Sequence, residues 1–177
     1  MPPMDIEISA IEDGINEFDF LAKPEELDLQ LEDTVFAEDV SVELRITRSS
    51  DTLTLTARCV TRADRTCARC LCTFKDGVDS EFYEVAELDG EKLRLLDDQY
   101  DGDPGFLNRA PGIFVIDPLV REAVLVSSPM KPVCREDCRG LCPQCGADRN
   151  EQECNCEESH GHNVWDALKD LAQNEKD

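Results

Sequence analysis

The stretch "VCREDCRGLCPQCGADRNEQECNC" constrains this chain more than any other, because it sets Cys134, Cys138, Cys142, Cys145, Cys154 and Cys156 among acids, glycines and amides. From Lys131 onward few aliphatic residues occur before Val164. Such a segment buries too little apolar area to offset the entropy of ordering its backbone, so a fold there requires another source of free energy. Thiols at these spacings offer one. The spacing runs CxxxC, CxxC and CxC, and a further CxxC lies upstream at Cys67 and Cys70. Four pairs of thiols make eight ligands, the number that two tetrahedral zinc sites require.

The strongest element is "GLCPQCG". Its proline pre-sets the backbone, Gly146 relieves strain after the second ligand, and backbone N–H groups can turn toward the sulfurs, so two thiolates are presented to one ion. "CARCL" is a weaker version of the same knuckle. All-thiolate tetrahedral sites suit zinc or iron–sulfur chemistry, and with no redox function demanded, zinc is the expected ion and iron the alternative. Loop closure favours near neighbours, which pairs Cys142 and Cys145 with Cys154 and Cys156 and leaves Cys67, Cys70, Cys134 and Cys138 for the other site. An interleaved arrangement fits the same count. Two zinc ions in all-cysteine sites are therefore expected, with no position open to water and no catalytic residue.

Two cysteines remain. Cys59 falls on the buried face of a strand, where a thiol acts as a small hydrophobe. Cys72 could substitute for Cys70, but CxxC geometry favours Cys67 with Cys70. His160 and His162 could replace a thiol, and with eight sulfurs available they read as a solvent-exposed pair. Asp97, Asp98, Asp101 and Asp103 lack the Glu and the spacing of an EF-hand and read as a solvated acidic loop.

The remaining chain carries β periodicity. Val40, Val42, Leu44 and Ile46 alternate with polar residues, "RSSD" interrupts them, and Leu53, Leu55, Ala57 and Cys59 resume the pattern, as in an antiparallel hairpin with one buried face. A second hairpin is expected from a strand ending near Val60 to another over about Thr73 to Val85, broken by a turn at "KDG". "MDIEI" predicts a short strand, and another is expected around Leu27 to Leu31. "FVIDPLVREAVLVSSP" predicts a strand end and then a helix over 118–127, with Asp117 as N-cap, Pro118 at the first helical position and an apolar face of Leu119, Val120, Ala123, Val124 and Val126. "NVWDALKDLAQ" predicts a short carboxy-terminal helix. The expected class is α+β: a small, mostly antiparallel β-domain over 1–130 with one packed helix, then a cysteine-rich zinc-binding tail over 131–177 with a short terminal helix.

Ordered together, "CARCL" after a hairpin, "IDPLVREAVLVSSPMKPVC", "CRGLCPQCG" and "CNC" make the chain resemble the YceD-like family of bacteria and plastids over roughly residues 35–171. It departs from that pattern at "ADRN" and "VWDAL". The resemblance implies a role in accumulation of large-subunit (23S) ribosomal RNA and in ribosome biogenesis, with no established catalytic activity.

Charge decides how such a role is to be filled. The net charge is −22, which repels phosphate and anionic lipid and attracts basic partners. The expected partner is a basic ribosomal protein or ribosome assembly factor, with no membrane and no small-molecule substrate; direct RNA contact is left open by the Arg-rich residues 41–75. Two alternatives compete: a zinc ribbon that binds nucleic acid and a thiol redox protein. The first lacks a basic stripe in the tail, and the second has only Arg69 inside either CxxC to lower a thiol pKa. The amino-terminal residues lack the basic and apolar regions of a signal peptide, and no run of about 20 apolar residues is present, so the expected location is the cytoplasm.

Overall fold

A computed structural model describes residues 4–96 and 107–156. The expected carboxy-terminal helix, the acidic loop at 97–103 and the histidine pair lie outside the described residues. Within them the α+β expectation holds: the chain is mostly antiparallel β with one helix.

The larger sheet is built from strands β2 (Gly14–Ala22), β4 (Val40–Ser49), β5 (Thr52–Thr66), β6 (Thr73–Asp89) and β7 (Lys92–Leu95) in the order β2-β4-β5-β6-β7. The short strand β3 (Thr34–Phe36) pairs with β5 from Thr34 opposite Arg65 to Phe36 opposite Ala63, in the lane left free beyond Val60, where the pairing of β5 with β4 stops at Ser41. A smaller sheet joins β1 (Asp5–Glu7), β9 (Ile113–Val115) and β8 (Asn108–Ala110). The alternation read in the sequence becomes burial: Val40, Val42, Leu44, Ile46, Leu53, Leu55, Ala57 and Cys59 are all inaccessible to solvent or nearly so. On them packs helix α1 (Asp117–Ser127) through Leu119, Val120 and Val124.

Four local expectations change. "KDG" is no turn: Lys75, Asp76 and Gly77 sit in register with Asp64, Ala63 and Arg62, and β6 runs straight through. Turn propensity is local, and fifteen cross-strand positions between β5 and β6 outweigh it. Residues 24–28 form a turn in place of the strand expected near Leu27, with Asp28 at φ 49° ending any extended run; Leu27 and Leu29 are buried from that turn. The strand lies earlier, at β2, whose inward side carries Phe18 and Phe20. Asp117 is not the cap of α1: Ile116 takes the cap position, and the Asp117 carboxylate instead accepts the Met4 N–H at 3.1 Å, tying β1 to the helix. Val126 is 77% exposed and belongs to no apolar face.

One buried cation braces the end of the sheet where the cysteines gather. Arg65 reaches Thr34 Oγ1 at 3.5 Å and Ser128 Oγ at 3.2 Å, linking β5 to β3 and to the end of α1. Its Nε lies 2.9 Å from Asp76 Oδ2, an ion pair in which the N–H is not aimed along the contact.

Candidate metal centres

The turn of the β5–β6 hairpin is the sequence "CARCLC" itself: Thr66 pairs with Thr73, and residues 67–72 make the connection. The Cys67 N–H donates to the Cys72 carbonyl at 2.8 Å and the Leu71 N–H to the Cys67 carbonyl at 2.9 Å. The same two bonds recur in the tail, where the Cys142 N–H donates to the Ala147 carbonyl at 2.8 Å and the Gly146 N–H to the Cys142 carbonyl at 2.9 Å. "CARCL" and "CPQCG" are thus one knuckle built twice. The fifth position has positive φ in both, 62° at Leu71 and 74° at Gly146, a conformation glycine adopts freely and leucine does not.

Each knuckle meets a second pair of thiols. The sulfurs of Cys67, Cys70, Cys134 and Cys138 all lie within 4.8 Å of one another, as do those of Cys142, Cys145, Cys154 and Cys156. This is the near-neighbour arrangement of the eight thiols; the interleaved one is absent. Four thiolates on a tetrahedral zinc ion at about 2.3 Å stand about 3.8 Å apart, since a tetrahedron's edge is about 1.63 times its radius. Cys67 to Cys138 measures 3.8 Å and Cys70 to Cys134 measures 3.7 Å. The first centre therefore fits a four-thiolate ion. Cys67 Sγ is held by the backbone, accepting the Arg69 and Cys134 N–H groups at 3.5 and 3.4 Å.

Those donors set the titration. Burial resists ionisation of Cys67, but N–H donors from Cys134, Cys70 and Arg69 outweigh it and bring the thiol down to about 6. In the second centre the Cys145 and Gln144 N–H groups bring Cys142 to about 6 as well. Their neighbours move the other way: burial raises Cys134 to about 11, and the Cys145 sulfur together with burial raises Cys156 to about 12. A cation held here would have to displace the protons that the raised Cys134 and Cys156 thiols keep. Cys59 takes no part; it is buried in the sheet, and burial pushes its thiol to about 12.

Three residues have roles at the centres that the sequence does not show. Arg69, inside the first knuckle, donates through Nη1 to the Glu136 and Cys138 carbonyls at 3.1 and 3.0 Å, clasping the tail. Gly140, at φ 69°, lets the tail pass so close that a Cβ there would lie 2.8 Å from the Arg69 carbonyl oxygen, which also accepts the Leu141 N–H at 3.0 Å. Asn150, in the "ADRN" stretch, donates to Cys138 Sγ at 3.4 Å while its Oδ1 accepts the Arg139 N–H at 2.8 Å and its Nδ2 reaches Asp148 Oδ1 at 2.7 Å. "ADRN", where the chain departs from the family pattern, thus carries the loop of the second centre onto a sulfur of the first. Only the positive φ demanded at a glycine between ligands was open to inference beforehand.

A family model described as large ribosomal RNA subunit accumulation protein YceD matches residues 55–172, a span that holds all eight sulfurs of both centres. The chain belongs to the YceD family. It is also 30% identical over 118 residues to proteins of Mycobacterium bovis and Mycobacterium tuberculosis described as uncharacterized, a match covering 60% of this chain and 50% of each relative. The chain thus spans about half the length of the curated relatives it matches. No solved structure matches it. The YceD description ties the family to large-subunit ribosomal RNA. Among the described residues no helix is long and apolar enough to cross a membrane.

Proposed function

We propose that this protein is a non-enzymatic factor supporting accumulation of large-subunit ribosomal RNA, acting by binding a basic ribosomal protein or assembly factor, with two zinc ions shaping its tail. The observation that carries the choice of partner is what happens to the arginines of residues 41–75. Arg45, Arg48, Arg58, Arg62 and Arg65 lie against Glu17, Asp13, Asp79, Glu38 and Asp76, and Arg69 is spent on tail carbonyls. Five of the seven cations in the basic stretch that kept direct RNA binding open are thus matched by a carboxylate, while the whole chain remains at −22. Counterion release from phosphates has little to act on here, whereas a cationic protein surface finds carboxylates in excess.

Both ions would be saturated by sulfur, with Cys67, Cys70, Cys134 and Cys138 holding one and Cys142, Cys145, Cys154 and Cys156 the other. Such closed sites supply folding free energy and no reactive water. The first would fasten residues 131–156 to the β-domain, the division at 130 being one of composition. Depletion of the protein, followed by measurement of 23S against 16S ribosomal RNA, tests the function. A fallen ratio restored by the wild-type chain but not by a Cys142→Ala/Cys145→Ala variant is expected; an unchanged ratio with normal subunit profiles overturns the proposal.

A further inference from the structure

A fifth sulfur borders the first centre. Cys72 is exposed, and its Sγ lies 3.3 Å from Cys70 Sγ, in contact with a sulfur of the buried group. The backbone enforces this contact: Leu71 at φ 62° folds the chain between the two cysteines, and the Cys72 carbonyl is held by the Cys67 N–H. The second centre serves as an internal comparison. There the residue in the position of Cys72, whose carbonyl accepts the Cys142 N–H in the same way, is Ala147. The knuckle therefore does not need a thiol at that position, and the first centre has one. Exposure divides the five sulfurs as well: Cys67, Cys70 and Cys138 are buried, Cys134 is half-buried, and Cys72 alone is open to solvent.

We propose that Cys72 is an interchangeable ligand of the first centre, able to take the ion in place of Cys70 and so to provide the exposed sulfur through which the ion enters and leaves. This rests on the reading of the four-thiol group as a metal centre. In the exchange the metal–Sγ bond to Cys72 forms as the bond to Cys70 breaks. The Cys72 thiol gives up its proton, the released Cys70 thiolate takes one up, and neither the oxidation state nor the charge of the centre changes. The two sulfurs already touch and their residues are separated by one, so the exchange starts from neighbouring ligands. The second centre, with alanine at that position, has no such exchange and holds its ion by one ligand set.

The test uses the full chain loaded with zinc for stoichiometry and affinity, and with cobalt(II) for the ligand-field spectrum. Two ions per wild-type chain establish the centres; a metal-free wild-type chain overturns both the underlying reading and this one. Cys70→Ala is expected to keep both ions, a four-thiolate cobalt spectrum and first-centre affinity within about tenfold of wild type, whereas Cys70→Ala/Cys72→Ala shifts to a three-thiolate spectrum and loses about a hundredfold or more. Cys145→Ala, with no spare sulfur beside it, is expected to lose as much at the second centre. If Cys70→Ala behaves like the double variant while wild type holds two ions, the proposal is wrong and the metal reading stands. Should Cys70→Ala not fold, Cys72→Ala decides: release of the first ion to a chelator is expected to slow several-fold, and an unchanged rate overturns the proposal.

Discussion

Replacing Gly140 by alanine should loosen the tail from the hairpin tip and weaken the first centre. Two costs add. At φ 69° a Cβ is disfavoured by about 1–2 kcal/mol. That Cβ would also lie 2.8 Å from the Arg69 carbonyl oxygen and 3.3 Å from Arg69 Cβ, so something has to yield. The Arg69 carbonyl cannot retreat cheaply: it accepts the Leu141 N–H, and its knuckle is fixed by the bonds through Cys67, Leu71 and Cys72. Overpacking of this kind costs about 1–3 kcal/mol, for a total of about 2–5 kcal/mol. With the proposed ions ordering the tail, the loss would be read as metal affinity, between about thirtyfold and a few thousandfold. Competition for zinc against a metallochromic chelator measures it. Gly146→Ala is the matched control, with φ 74° and nothing within 4 Å of the added carbon, so it bears the conformational cost alone and loses about five- to thirtyfold. Equal losses in the two variants would refute the packing argument, and an unchanged Gly140→Ala would refute the docking of the tail on Arg69.

Leu71→Gly should stabilise the hairpin tip by about 1 kcal/mol by removing a non-glycine residue from positive φ, seen as a thermal midpoint raised by a few degrees at equal metal load. Asn150→Ala removes an N–H donor from Cys138 Sγ and should lower first-centre affinity by about tenfold or more while the second centre keeps its ion, checked by the same competition. Asp117→Asn probes a carboxyl whose pKa burial raises. The folded state favours the protonated form, so the charged form costs stability at neutral pH and costs nothing once both states are protonated in acid. The asparagine, which keeps an acceptor for the Met4 N–H, should melt at or above wild type at neutral pH, and the difference should vanish on acidification.

The sequence was legible where a pattern is enforced by burial or by stoichiometry. Val40 to Cys59 alternate because one face of β4 and β5 is sealed, and eight thiols in four short spacings admit few partitions once loop closure is counted. It was illegible where a long-range partner overrules a local signal. "KDG" announces a turn, yet Asp76 lies opposite Ala63 with its carboxylate on Arg65 and Gly77 lies opposite Arg62, so the strand continues. Asp117 has the form of a cap, yet its acceptor serves Met4, 113 residues away. Arg69, Gly140 and Asn150 are ordinary residues in sequence; only the approach of two knuckles gives their donors and missing carbon a purpose.

The placement of the first knuckle at a hairpin turn sets a timetable for synthesis. Cys70 faces Cys134 across 64 residues of chain and Cys67 faces Cys138 across 71. At a translation rate of roughly 5–20 residues per second, the hairpin waits about 3–15 seconds for its partners to leave the ribosome. Throughout that interval three neighbouring sulfurs, Cys67, Cys70 and Cys72, stand at the tip of a nascent ribbon with no opposing pair, whereas Cys142 through Cys156 emerge almost together.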